Sequence, residues 1–123
     1  MNNLNIIELI EKYIKEEMII PRPYAKLDFK VKGFGIRRGK RALIYFVPNS
    51  KNLKKPNEKG ISLIEFQKAY NQLNKYNELT FKWFEQNLPE CNKEGSCNFT
   101  TIGGIFKLLN LAVYKGKGIY KKF

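Results

Sequence analysis

The spacing of apolar residues changes period part-way along this chain, and that change constrains the fold more than any other feature. From Lys26 to Lys32 residues alternate: Leu27, Phe29 and Val31 share one face, and Lys26, Asp28, Lys30 and Lys32 the other. This pattern predicts a half-buried strand with a basic outer face. Arg41 to Val47 is rich in strand formers and is ended by Pro48. The intervening Gly33 to Lys40 completes an antiparallel hairpin with its tip near Arg38-Gly39. After Ser62 the period becomes helical. Ser62-Leu63-Ile64-Glu65 is a capping box, and Leu63, Phe66, Tyr70 and Leu73 form the stripe of a helix ending near Asn74 to Asn77.

The flanking segments extend this reading. Asn2 to Ile20 has Leu4, Ile7, Ile10, Ile14 and Met18 near helical spacing and predicts an amphipathic helix, stopped by Pro21 and Pro23. Its stripe suits packing on the domain or a homodimer contact. Asn49 to Gly60 is polar enough to be a loop and a boundary between two units. A second helix is expected from Glu78 or Leu79 to Asn87, closed by Leu88-Pro89. A third is expected after Thr100 or Thr101, where threonine can cap it. Leu111 to Tyr114, Lys115 to Gly118 and Ile119 to Lys122 read as strand, turn and returning strand. The expected class is α+β. Residues 1–59 hold an N-terminal helix, a basic hairpin and a linker, and residues 60–123 hold three helices and a hairpin, as two lobes or one domain.

Charge adds a partner class. The 123 residues carry a formal net charge of +12, and the basic residues fall in two blocks. Between Pro21 and Lys59 only Asp28 and Glu58 oppose twelve cations, and from Thr100 to Phe123 no acid opposes Lys107, Lys115, Lys117, Lys121 and Lys122. Aromatics are interleaved: Phe29, Phe34, Tyr45, Tyr114 and Tyr120. Segregated positive charge with aromatics points to a polyanion, nucleic acid above all. The charges within the first twenty residues exclude a spanning helix and a secretory core, so a cytoplasmic setting is expected.

Catalytic chemistry has little to stand on. The chain has no histidine, the commonest general acid or base. Cys91 and Cys97 are too few for a zinc site and read as ordinary thiols. No cofactor and no resident metal are expected. Asp28-Phe29-Lys30, with Glu11, Glu16 and Glu17 upstream, distantly resembles the acid-x-Lys half of restriction-type nuclease sites. A charge on the outer face of a strand accounts for Asp28 more simply.

The order helix, helix, helix, hairpin over Ser62 to Lys122 resembles winged helix-turn-helix DNA-binding domains. A longer connection, Pro89 to Asn98, stands where such domains have a tight turn. The resemblance implies that the third helix enters the major groove and that the hairpin, or wing, touches backbone or minor groove. Thr100, Thr101, Lys107 and Asn110 would then form the polar face of that helix, and Lys115, Lys117, Lys121 and Lys122 the wing. The first hairpin offers a second surface, with Arg37, Arg38, Lys40 and Arg41 on a protruding tip. Gly103-Gly104 implies that helix two or a phosphate approaches closely. The expected function is non-catalytic binding of nucleic acid, duplex DNA in particular, as a small regulator or as an accessory domain of a mobile-element or restriction-type system. Two other readings are a basic binder or inhibitor of an acidic protein partner, and a small metal-dependent nuclease centred on Asp28 and Lys30.

Overall fold

Arg38 and Gly39 both take positive φ, +54° and +74°, the conformation of a two-residue turn whose twist matches its flanking strands. The turn joins β1 (Lys30–Arg37) to β2 (Lys40–Val47), which pair in register from Lys30↔Phe46 to Arg37↔Lys40. The hairpin tip therefore falls where the sequence puts it. The computed structural model describes residues 5–123, and α1 (Ile6–Tyr13) opens them, capped by the Asn5 side chain. The part of the predicted first helix at Asn2 to Leu4 lies outside the described residues.

Helix α1 is shorter than its apolar stripe suggests. Ile14 is already extended and Glu17 has φ +72°. Met18 to Ile20 runs antiparallel to the start of β1: Ile20 N–H bonds Phe29 C=O at 2.8 Å, and Val31 N–H bonds Met18 C=O at 2.9 Å. The β-branched pair Ile19-Ile20 suits that extended path better than a helix. Ile6, Ile10 and Ile14 are buried in the core, and Ile7 and Met18 are half-buried against it. Residues 26–29 precede β1, and the strand is carried instead through Gly33-Phe34-Gly35, with a bulge between Val31 and Gly33.

The polar segment after Pro48 also departs from expectation. The loop ends at Pro56, and Asn57–Ser62 forms β3, paired antiparallel with β2 along its whole length. The first sheet has the order β1-β2-β3. The boundary expected at residue 59 thus lies inside a strand, and β3 runs directly into α2 (Leu63–Tyr76). Ser62 and Glu65 make both bonds of the capping box, and Asn77 ends the helix in the left-handed conformation at φ +62°.

Glu78–Thr80 forms the short strand β4 where a helix start was expected, and Thr80 caps α3 (Phe81–Asn87). Pro89 begins a further helix, α4 (Pro89–Glu94), because proline suits a first helical turn as well as a stop. Helix α5 (Cys97–Leu108) starts before the threonines, and β5 (Ala112–Gly116) and β6 (Ile119–Lys122) follow it. Strand β4 pairs with β6, giving the second sheet the order β4-β6-β5. The described residues thus form five helices and two small antiparallel sheets, an α+β fold. None of these helices is long and apolar enough to cross a membrane.

Helix α5 lies at the centre. Phe99, Ile102, Ile105 and Phe106 are buried, and their cluster continues through Phe66 and Tyr70 of α2, Phe84 of α3 and Tyr120 of β6. The paired glycines make this possible. A Cβ at Gly103 would stand 2.0 Å from the Tyr120 ring, and one at Gly104 would stand 2.3 Å from the Pro21 carbonyl oxygen. The close neighbours are thus the returning strand and the Pro21–Pro23 strap, neither helix two nor a phosphate. Gly104→Ala should lower stability to urea by about 1–3 kcal/mol through overpacking. Helix propensity alone gives a gain of about 1 kcal/mol, so increased stability would contradict this packing.

Candidate nucleic-acid interface

The first hairpin carries its arginines inward. Arg38 Nε and Nη2 bond the two carboxylate oxygens of Glu65 at 2.9 and 2.8 Å. Its Nη1 bonds Glu94 Oε1 at 2.6 Å, and Nη2 also reaches the Gly60 carbonyl at 2.9 Å. Arg37 Nε bonds Glu94 Oε2 at 3.0 Å. Two arginines and two glutamates thus cancel in one part-buried cluster. Burial by itself raises the Glu65 and Glu94 pKa values, but the arginine bonds, joined at Glu65 by those with Ser62, outweigh it and hold both carboxyls below their ordinary range. The Glu65 bonds, with that of Glu94, push Arg38 the other way, against burial.

The tip is therefore docked rather than protruding. Lys40 and Arg41 are exposed, but Arg41 pairs with Glu11 at 2.8 Å and lies over the Phe34 ring. The lysines of the β2–β3 loop, Lys51, Lys54 and Lys55, sit at the far end of β2 from the tip, roughly 25 Å away for an eight-residue strand. Tip and loop do not make one basic surface. With Arg37 and Arg38 neutralised, little tip charge is left for an acidic protein.

The residues assigned to the third helix are also separated. Thr101 is buried and Thr100 is half-buried. Both hydroxyls accept from the Arg22 guanidinium, whose Nη2 also bonds the Cys97 carbonyl at 3.1 Å. The Tyr45 hydroxyl donates to Asn98 Oδ1 at 2.6 Å, and Asn98 Nδ2 donates to the Cys91 carbonyl at 2.9 Å. Burial, with the Cys97 sulfur alongside, raises the Tyr45 pKa and keeps the phenol protonated. These polar groups tie α5 to β2, α4 and the strap, so Thr101 offers no face to a groove. Asn110 lies beyond the end of α5, exposed, at φ +59°. There it serves the helix terminus, a position that asparagine tolerates.

The second hairpin keeps its charge outward. Lys107, Lys115 and Lys117 are exposed, and no carboxylate pairs with them among the described residues. Lys121 pairs with Glu78 at 2.6 Å, and Lys122 bonds the Asn74 side chain at 2.7 Å. The turn is held in place: Gly118 N–H bonds the Tyr114 hydroxyl at 3.0 Å, and Phe81 N–H bonds the Gly118 carbonyl at 2.9 Å. Tyr24 is 87% exposed and packs edge-on against Tyr114, ring centroids 6.2 Å apart. Thus β5–β6, Lys107 and Tyr24 form a basic, aromatic-bearing surface.

Arg22 and Tyr24 were not singled out from the sequence. Their only signal was membership of a basic block beside two prolines. Glu65 and Glu94, which neutralise Arg37 and Arg38, were hidden because they lie in residues 60–99, where five glutamates nearly balance four lysines. Asp28 is exposed and shares an open hollow with Glu17 and Lys30. Among the described residues no three metal-ligating side chains gather. Cys91 and Cys97 are free thiols. Comparison with protein-family models, curated proteins and solved structures returned no match.

Two outcomes follow from the ion cluster. Arg38→Ala should cost about 2–4 kcal/mol of stability, because two carboxylates lose a part-buried partner. The depressed carboxyl pKa values make the stabilisation complete above the ordinary glutamate range and lost as pH falls through the lower folded values. Glu94→Gln should therefore flatten the loss of stability between neutral pH and pH about 3. An unchanged acid limb would show that this cluster does not govern it.

Proposed function

We propose that this chain binds nucleic acid without catalysis, duplex DNA in particular, through the β5–β6 hairpin and the adjoining Lys107. The observation that carries this reading is the contrast between the two hairpins. At the tip of the first, Arg37 and Arg38 are cancelled by Glu65 and Glu94 and Arg41 pairs with Glu11, whereas Lys107, Lys115 and Lys117 stand exposed with no acid beside them. Unpaired lysines on a hairpin attract phosphates and release counterions when they bind. The order helix, strand, helices and hairpin, with β4 pairing to β6, supports the likeness to winged helix-turn-helix domains. In this reading the hairpin acts as the wing.

The mode of contact differs from that implied by the resemblance. Helix α5 spends Thr101 and its apolar faces on the core, so it has little to offer base edges. Contacts then fall mainly on phosphates, which position a protein but do not read sequence. A role as an accessory domain suits this mode better than a sequence-reading regulator.

The test is a salt titration of binding to random duplex DNA. Lys115→Ala with Lys117→Ala should weaken binding to all duplexes alike and reduce the slope of log affinity against log salt by about two. Unchanged affinity and slope would remove the hairpin from the interface.

A further inference from the structure

The strap and β5–β6 border a half-open hollow of about 180 Å³ lined by Arg22, Gly104, Lys107, Tyr114 and Tyr120. Its charge is unusual. The Arg22 guanidinium lies partly out of water, 3.8 Å from the centre of the Phe29 ring, and its hydrogen bonds go only to neutral oxygens. No carboxylate pairs with it among the described residues. A cation taken from water without a counter-charge is costly. Burial accordingly lowers the Arg22 pKa, only partly offset by Tyr45, Cys97 and Tyr120.

The surroundings increase this positive character. Arg22 is held against the first turn of α5, at Cys97, Thr100 and Thr101. Lys107 adds a second cation to the same hollow, and no acid lines it. The Tyr114 hydroxyl accepts from Gly118 N–H, leaving its own proton to donate. At about 30 Å³ per water, the space holds about six waters, enough for a tetrahedral oxyanion and part of its hydration. The exposed Tyr24 ring, packed on Tyr114, offers a flat face on which a base can stack.

We propose that this hollow binds a phosphate monoester, with Arg22 and Lys107 holding its oxygens and Tyr24 stacking on an attached base. The chemistry fits either the 5′-terminal phosphate of a nucleic-acid strand or a free mononucleotide. The site goes beyond duplex binding by the hairpin, which needs only internal phosphodiesters.

The experiment compares short single strands of one sequence, with a 5′-phosphate and with a 5′-hydroxyl, alongside adenosine monophosphate. The phosphorylated strand should bind the native chain about tenfold tighter, the scale of charge-assisted hydrogen bonds. Lys107→Ala, on the exposed side of the hollow, should reduce that ratio several-fold, and Arg22→Gln should abolish it. Lys115→Ala with Lys117→Ala should weaken both strands and leave the ratio unchanged. Binding of adenosine monophosphate that Lys107→Ala weakens, without a preference between strands, would assign the hollow to a free nucleotide. Equal affinity for the two strands and no binding of adenosine monophosphate would overturn the proposal. That result would leave salt-dependent duplex binding by the hairpin untouched. Loss of duplex binding with the 5′-phosphate preference intact would remove the hairpin reading and keep this one.

Discussion

One guanidinium holds four parts of this chain together. Arg38, at the β1–β2 turn, reaches Glu65 in the first turn of α2, Glu94 at the end of α4 and the Gly60 carbonyl in β3. The same Glu65 closes the capping box by accepting from Ser62 N–H at 2.8 Å. Glu94 likewise accepts from Gly60 N–H at 3.2 Å. Arginine suits this task because its planar fork matches a carboxylate on one edge and has donors left over. The arrangement fixes the hairpin against the C-terminal half. It also removes from the surface the charge that looked most available to a partner.

The central helix imposes a second constraint. With glycines at 103 and 104, the Tyr120 ring and the Pro21 carbonyl approach the axis of α5 more closely than any side chain permits. The helix is then surrounded by β6, the strap, α2 and α3. A helix so enclosed cannot also lie in a groove. In the reading proposed above, contact with a polyanion passes to the hairpin that follows it and to the strap residues beside that hairpin. The preference for phosphate contacts over base reading that we propose thus has its origin in packing.

Much of the fold was legible where local rules act alone. The Arg38-Gly39 turn, β2 ending before Pro48, the capping box at Ser62 and the returning hairpin all depend on neighbours in sequence. The errors share a cause in tertiary pairing. The apolar stripe through Met18 looked helical, yet Met18 to Ile20 gains backbone partners from β1. Asn57 to Gly60 looked like a linker, yet it pairs with β2. Pro89 looked like a stop, yet it opens a helix. The candidate site divided in the same way. The exposure of Lys107, Lys115 and Lys117 followed from composition. The occupation of Thr100 and Thr101 by Arg22, and of Arg37 and Arg38 by glutamates, joins residues far apart in the chain that no periodicity connects.

The central claim is that the open charge of the second hairpin, and not the closed cluster of the first, meets nucleic acid. Lysine-acetylation footprinting with and without duplex DNA tests it most directly, because each amine reports separately. Protection of Lys107, Lys115 and Lys117, with Lys40, Lys51, Lys54 and Lys55 reacting as in the free protein, is the result expected. Protection of Lys40 or the loop lysines, with Lys115 and Lys117 unchanged, would contradict the account.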